Sequence, residues 1–463
     1  MIAFLEGFST LAVEVIAIRL AIPVVGSSMT LTGVMLGVVL FALSAGYWRG
    51  GALSARWDRK KTRTVLSRNL LLAAGLYGAV AFPLEAGLIE KLLDSGLSLS
   101  WAIGVAASLL FILPIYLASQ TVPMLAELTN DEGKAGKASG KVLFFSTLGS
   151  VAGGIITPVW LFPGIGVVHS SYVVTGLLAA AASLMAIGQA RALRTAGAGA
   201  AVVVLTVSAS VLGAPDHDLY RFDSPYQTIR IVEEKGERVM LMSGGRSSGL
   251  FIETGETSFA TVRLVTKLVK DTQARHVLVI GAAGFNLPRD VSAFPEVERV
   301  DAVDVDPAVK VIAETQFLKH PLPAKVHFFP LSARYAARKL GHEGRHYDFA
   351  FLDAYFGRGI PEELATVEFF QDVRRVSERV AANVIMDRDL ESVFARNLLL
   401  SFREAFGRVW VIDAKPGDDY ISNMLVTSWP APGAVEWNGK GHTYRDDSNT
   451  ADRDRVRLMW DSE

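Results

Sequence analysis

A chain of 463 residues, half of them apolar, with a mean hydropathy of +0.31 and a net charge of −1, is too long for one small domain and too apolar for a single cytosolic globule. The absence of cysteine excludes a disulfide framework, a thiolate metal site and a cysteine nucleophile, and the near-neutral charge argues against a nucleic-acid binder. Charge is unevenly spread, however: residues 1–213 hold 14 basic and 9 acidic side chains, whereas residues 214–463 hold 32 and 38. That contrast predicts a multi-span α-helical membrane domain over 1–213, followed by a soluble one.

A bilayer crossing takes about 20 mostly apolar residues whose amides are satisfied within the helix. Seven stretches are expected spans: 2–24, 29–48, 66–84, 98–119, 142–162, 168–188 and 196–213. The last is short and rich in Ala, Gly and Ser, and so the weakest. Glycines four residues apart, Gly33 and Gly37, Gly46 and Gly50, Gly149 and Gly153, are expected to let helix backbones approach closely. Glu14 and Arg19 lie inside the first span, where a charge marks either function or an ion pair that fixes packing. The run Ser119-Gln120-Thr121 either lines a cavity or caps its span. Arg49, Arg56, Arg59, Lys60, Lys61, Arg63 and Arg68, opposed only by Asp58, put the loop after span two in the cytoplasm, and Arg191 and Arg194 mark a later inside loop. Seven crossings from a cytoplasmic N-terminus would leave the soluble domain outside. Because the weakest span immediately precedes it, that domain is expected in the cytoplasm, at a cell (inner) membrane.

In the soluble half, 226–233 and 238–242 read as a hairpin around Lys235-Gly236, within a β-hairpin region spanning 214–250. Strands are then expected at 276–281, 300–305, 326–329, 347–353, 380–387, 408–412 and 421–428, with helices at 259–270, 307–314 and 390–405 among them. Strands alternating with helices imply crossover units and a mainly parallel sheet. The fold class is therefore α/β and Rossmann-like over 251–430. The last two strands, with no clear helix between them, suit an antiparallel edge. The polar, Pro/Gly-punctuated tail 431–463 is assigned no fixed structure.

In such a sheet the ligand lies beyond the carboxyl ends of the strands. The first strand-to-helix turn is Gly281-Ala282-Ala283-Gly284, whose small residues allow a ligand near the backbone and the N-terminus of the following helix. The next strand ends in Asp304-Val305-Asp306-Pro307. Asp304, 23 residues after Gly281, stands near the ~20-residue offset at which an acidic side chain accepts hydrogen bonds from a ribose; otherwise it is a surface carboxylate. Asp306 is expected to cap the following helix, with Pro307 at its first position. Asp353 ends a buried strand, where a carboxylate can orient a cation and accept a proton, or cap a turn.

SPYQTIRIV at 224–232, HVLVIGAAG at 276–284, VDAVDVDP at 300–307 and YDFAFLDAY at 347–355 together resemble the spermidine synthase (polyamine aminopropyltransferase) family. The resemblance covers about 220–430, and the preceding spans are similar to that family's membrane-anchored branch. It implies a methyltransferase-type fold and transfer of an aminopropyl group from decarboxylated S-adenosylmethionine to an amine such as putrescine, releasing methylthioadenosine. No metal and no cofactor are implied, the nucleoside being a co-substrate. The resemblance gives Asp353 the role of proton acceptor, Asp304 that of ribose ligand, and Gln227 a contact to the nucleoside. It adds Gly281, Gly284, Ser332 and Tyr355 to the substrate- and nucleoside-binding set, with Pro361 near the adenine. The expected partners are small-molecule nucleoside and amine substrates, the lipid bilayer and, as an option, a second copy in a homo-oligomer; nucleic acid is not among them.

The chain departs from that family where a glycine-rich loop would carry an aspartate, because Phe285 follows Gly284. Thr261 and Val262 stand where the family has a Tyr-His pair, and Leu331 where an aspartate would read the adenine. An S-adenosylmethionine-dependent methyltransferase on the same fold is one alternative, disfavoured by the SPYQ and LDAY segments. A non-catalytic nucleoside sensor or transport-coupled membrane protein is another, favoured by Glu14, Arg19 and the missing anchors. His342-Glu343-Gly344-Arg345-His346 spells a zinc-protease pattern, but Gly341 and Gly344 break the helix that such chemistry needs, so it is expected to be a polar turn.

Overall fold

The computed structural model describes residues 1–25, 29–130, 135–190, 192–212, 218–355, 359–415, 417 and 419–461. Contacts divide them into two compact units, a helical one up to residue 212 and an α/β one from residue 218.

The helical unit comprises α1 (Ile2–Val25), α2 (Met29–Ser54), α3 (Arg59–Leu76), α4 (Phe82–Asp94), α5 (Leu99–Ser119), α6 (Thr121–Leu128), α7 (Ala135–Ile156), α8 (Phe162–Ala186) and α9 (Ala192–Leu212). Wide π-turns at Tyr77–Ala81 and Thr157–Leu161 carry α3 into α4 and α7 into α8, and Gly166, at φ 82°, breaks α8 near its start. Among the described residues, three helices are long and apolar enough to cross a membrane, Met29–Ser54, Ser100–Leu128 and Ala135–Ala186, while Ala192–Ser208 is a shorter apolar helix. Seven spans were expected, and the described residues give these three. The stretch 2–24 is helical but carries Glu6 besides Glu14 and Arg19, and 66–84 belongs to a helix that begins in the basic segment. Spans 142–162 and 168–188 run together in one 52-residue kinked helix. At 1.5 Å per residue its ~78 Å exceed twice a ~30 Å hydrocarbon core, leaving room for two crossings about the Gly166 break. Arg191 and position 213 lie outside the described residues.

The four-residue glycine spacings divide by environment. A Cβ on Gly149 or Gly153 would overlap the carbonyl oxygens of Phe4 and Phe8, and one on Gly46 would overlap Ser119, so α1 meets α7 and α2 meets α5 at backbone distance. Gly33 and Gly37 face open space, and the close-packing expectation fails there. Glu6, passed over in the sequence reading, is 1% exposed. Its carboxylate accepts hydrogen bonds from Ser146 Oγ (3.1 Å) and Thr10 Oγ1 (3.2 Å), tying α1 to α7. The Arg19 guanidinium lies over the Phe162 ring at 5.9 Å, a packing role for that charge. Gln120 accepts from Asn69 Nδ2 at 3.1 Å, joining the polar run to α3.

The α/β unit opens with an antiparallel sheet in the order β1 (Asp218–Asp223), β2 (Thr228–Glu234), β3 (Glu237–Met242), β4 (Gly245–Phe251). The expected hairpin is thus half of a four-stranded sheet. Its Lys235-Gly236 turn has both residues at positive φ, 50° and 81°, the two-residue geometry that matches strand twist. Then follow α10 (Ala260–Asp271), β5 (His276–Ile280), α11 (Asn286–Ser292), β6 (Arg299–Asp304), α12 (Ala308–Ile312), β7 (Val326–Pro330), α13 (Ala333–His342), β8 (Phe349–Leu352), α14 (Val367–Arg374), β9 (Val380–Asp387), α15 (Val393–Phe406), β10 (Trp410–Asp413), β11 (Ile421–Thr427), β12 (Val435–Glu436) and α16 (Ala451–Asp461). The second sheet runs β12-β10-β11-β9-β8-β5-β6-β7. Strands β5 to β9 are mutually parallel, and β11 inserts antiparallel between β9 and β10, which makes the fold Rossmann-like and of methyltransferase type. Because side chains alternate along a strand, Val277 and Val279 enter one core with Phe285, Phe317 and Phe351. Leu278 and Ile280 enter the other with Phe369, Phe370 and Phe402.

The tail, left without a fixed structure by its sequence, is folded onto the α/β unit. Tyr444, 2% exposed, Ala451 and Leu458 belong to the second core. The Tyr444 backbone donates to Ser401 Oγ (2.8 Å) and accepts from Val367 N (2.9 Å). Strand β12 pairs with β10.

Candidate active site

Sheet order reverses at β5, whose neighbours β6 and β8 connect in opposite directions, and a doubly wound sheet opens its ligand crevice there. Register fixes what lines it. Ile280, the last residue of β5, pairs with Val303 on one side and Leu352 on the other. The next residues are Gly281, Asp304 and Asp353. The two carboxylates therefore flank Gly281 across three adjacent strands, about 10 Å apart at the backbone. Gly281 has φ 95°, and a Cβ there would overlap the Asp353 carbonyl oxygen, so only glycine serves. Its N–H donates to Val303 O (2.9 Å), and Asp353 N donates to Ile280 O (2.7 Å).

Asp304 is half-buried. Its Oδ1 accepts from Asp306 N (3.0 Å) and its Oδ2 from Ala283 N (3.3 Å). Burial outweighs those bonds and lifts its pKa from 3.8 to about 6. Asp306 is fully buried. One oxygen accepts from Ala308 N (3.0 Å), the cap expected of it; the other accepts from Ser224 Oγ (2.6 Å) and Gln227 Nε2 (3.5 Å). The β1–β2 turn is thereby fastened beside the end of β6, with Gln227, 3% exposed, held against Asp306 two residues after Asp304.

Asp353 also stands half-buried, its Oδ1 accepting from Asn383 Nδ2 of β9 at 2.8 Å. Burial raises its pKa to about 6, against the opposing effect of Asn383. No helix cap holds it. Asn383 was missed in the sequence; the available signal was one amide inside the apolar strand VAANVIMD.

Other predicted site residues occupy different surroundings. Gly284 is buried, its N–H donating to Ser248 Oγ (2.9 Å), and a Cβ there would collide with Phe317 and Ser248. It shapes the turn and does not offer an amide to the crevice. Phe285, at φ 60°, is fully buried and meets Phe328 edge-on at 5.4 Å; α11 behind it is only two turns long. The Tyr355 hydroxyl donates to Asn383 O (3.1 Å) and accepts from Ile385 N (2.9 Å), so it fastens the β8 exit to β9 and is not aimed at a ligand. Ser332 is the exposed N-cap residue of α13, without a side-chain capping bond. Pro361 precedes a single 3₁₀ turn, Glu362–Leu364, and accepts from Leu364 N (2.9 Å). Thr261 and Val262 are buried in α10, and Leu331 packs on the second core. The His342–His346 segment is a turn: Glu343 caps α13, Gly344 has φ 70°, and Arg345 donates to buried Asp301 at 2.9 Å.

A protein-family model described as O-methyltransferase matches residues 250–357. A polyamine aminopropyltransferase from Vibrio vulnificus is 29% identical over 182 residues, 38% of this chain and 60% of that one. Polyamine aminopropyltransferase 2 of Ralstonia nicotianae is 25% identical over 332 residues, 66% of this chain and 61% of that one. The chain spans about three-fifths of the length of these curated relatives. The crystal structure of a probable spermidine synthase from Corynebacterium glutamicum superimposes with a TM-score of 0.38 at 19% identity, covering 46% of this chain and 80% of that one. With two carboxylates flanking the β5 turn, the α/β unit is similar to these polyamine aminopropyltransferases over the matched residues.

Proposed function

We propose that the chain is a membrane-bound polyamine aminopropyltransferase. In this reading the crevice holds decarboxylated S-adenosylmethionine, with the ribose hydroxyls on Asp304 and Gln227 near the nucleoside. The amine nitrogen attacks the carbon beside the sulfonium. The new C–N bond forms as the C–S bond breaks, its electron pair stays on sulfur, and methylthioadenosine leaves. The proton released by the amine passes to Asp353. The observation that carries the reading is the register of Asp304, Gly281 and Asp353 on three adjacent strand ends. A carboxylate with its pKa lifted to about 6 is still mostly ionised at pH 7.5, and more basic than an ordinary aspartate. No metal and no resident cofactor enter the scheme; putrescine is the acceptor that the family resemblance supplies.

Membrane attachment draws support from the three long apolar helices. The Ralstonia alignment is also longer than everything from residue 218 onward, so it reaches into the helical unit. We place the α/β unit in the cytoplasm, where a nucleoside donor is made, and leave a homo-oligomer as an option. A reporter fused after Glu463 should then be inactive when it requires the periplasm.

The test is incubation of full-length protein with decarboxylated S-adenosylmethionine and a panel of amines, followed by product analysis. Methylthioadenosine with an elongated amine supports the reading. S-adenosylhomocysteine, made from S-adenosylmethionine, would replace it with methyl transfer, the alternative that the O-methyltransferase match favours. Neither product would leave a nucleoside-binding, non-catalytic protein.

A further inference from the structure

Seven basic side chains surround the turn between α2 and α3 with one carboxylate among them, and the fold leaves most of that charge unopposed. Asp58 is engaged at the start of α3, where its side chain accepts from Lys61 N at 2.8 Å. Three of the cations have protein partners. Arg59 donates to Leu128 O and Arg63 to Ile187 O (2.9 Å), each at the C-terminal end of another helix, and Lys61 lies over the Trp57 ring at 4.9 Å. The other four, Arg49, Arg56, Lys60 and Arg68, are exposed, and among the described residues no carboxylate lies within ion-pair distance of any of them. Exposed arginines of the α/β unit do find one: Arg246 meets Glu237 at 2.8 Å and Arg375 meets Asp372 at 2.9 Å.

The side chains leading to this turn change character in a fixed order. Along α2 the large exposed ones are Leu36, Leu40 and Phe41, then Tyr47 and Trp48, and then Arg49. Along α3 the order is reversed: Lys60 comes first, Arg68 two turns later, and exposed Leu72 one turn beyond that. Apolar, aromatic and then cationic is the order in which a helix passes acyl chains, interface and head groups. Trp48 is 76% exposed, an amphipathic ring that no protein covers, at the boundary between the two regions. An apolar stripe directly beneath the cations suits a lipid better than a soluble anion.

Resting on the membrane-attachment reading, we infer that the α2–α3 turn is a binding surface for anionic phospholipids, whose phosphates are the counter-ions of Arg49, Arg56, Lys60 and Arg68. Orientation in a bilayer needs only an excess of positive charge on one side; the inference adds a lipid held there. Each cation at an anionic surface favours that lipid by about a factor of five.

The experiment uses Trp48 as the reporter. Full-length protein is reconstituted in phosphatidylcholine vesicles that contain brominated phosphatidylglycerol or, at equal mole fraction, brominated phosphatidylcholine. The difference in tryptophan quenching between wild type and Trp48→Phe isolates the lipid beside residue 48. Phosphatidylglycerol should be enriched there at least about fivefold, and high salt should reduce the enrichment. Combining Arg49→Gln, Arg56→Gln, Lys60→Gln and Arg68→Gln should abolish it without changing the melting temperature in detergent, because these side chains have no partner to lose. Combining Arg49→Lys, Arg56→Lys and Arg68→Lys keeps the charge and should retain it. Equal quenching by the two lipids, or enrichment that survives in the glutamine variant, overturns the inference. Quenching by neither lipid also overturns it and means that protein covers the turn. Loss of the enrichment to inorganic phosphate at constant ionic strength would reassign the cations to a soluble anion. Recovery of the chain in the soluble fraction without detergent would overturn membrane attachment instead. Binding of that soluble protein to phosphatidylglycerol vesicles, lost in the glutamine variant, would then leave the surface assignment standing.

Discussion

Replacing Asp353 with asparagine should reduce turnover and stabilise the protein in the same variant. The substitution keeps the shape and the oxygen that accepts from Asn383 Nδ2, while removing charge and basicity. Loss of a positioned proton acceptor should lower kcat by about 10²–10⁴. Affinity for methylthioadenosine should barely move, because Asp304 and Gln227 remain. Stability is expected to go the other way. Burial lifts the Asp353 pKa from 3.8 to about 6, so between those values the folded state holds more proton than the unfolded chain. Stability conferred by the protonated acid is therefore complete below about pH 4 and lost as pH rises through 6. A shift of about two units corresponds to roughly 3 kcal/mol of destabilisation at pH 7.5, by 1.36 kcal/mol per unit. Asparagine has no such penalty. Thermal melts of wild type and variant should differ by several degrees at pH 7.5, with the variant higher, and should converge below pH 4, since 1 kcal/mol is worth about 2–4 °C in a domain this size. Wild-type turnover in the variant, or an equal melting difference at both pH values, would remove Asp353 from the mechanism.

Asp304→Ala removes the acceptor proposed for two ribose hydroxyls; at ~1.5–3 kcal/mol per charged hydrogen bond, methylthioadenosine affinity should fall at least tenfold, and unchanged calorimetry would misplace the nucleoside. Gly149→Val puts branched carbon against the Phe4 carbonyl and should lower the detergent-solubilised melting temperature by several degrees, whereas Gly37→Val, in open space, should not. Deleting residues 431–463 removes Tyr444, Ala451 and Leu458 from the second core and should leave a chain that is recovered poorly and melts early. Normal yield and melting would mean that the tail does not hold the sheet.

What could be read in the residues, and what could not, follows the range of the interactions involved. Strands β5 to β9 announce themselves because burial on both faces demands runs such as HVLVI and VAANVI, a local signature. The carboxylates that end β6 and β8 stand at the crevice for the same reason: strand ends are local, and the crevice lies at strand ends. Whether a polar group there is free to meet a ligand depends on residues far along the chain. Tyr355 is drawn to the backbone of β9, some thirty residues on, and Gly284 N–H to Ser248 Oγ, 36 residues back, so both left the set of groups that face the crevice. Tyr444 reads as tail because only Ser401 and Val367, over forty residues away, satisfy its backbone. The paired glycines make the same point in the helical unit. Gly37 and Gly149 share a four-residue spacing with a second glycine, yet only Gly149 finds another helix against it. Asn383 is the informative exception, since an amide within an apolar strand is a local oddity. Its side-chain amide donates to the Asp353 carboxylate at 2.8 Å, across from β8. A carboxylate held by that amide is positioned by β9 as much as by the strand that carries it.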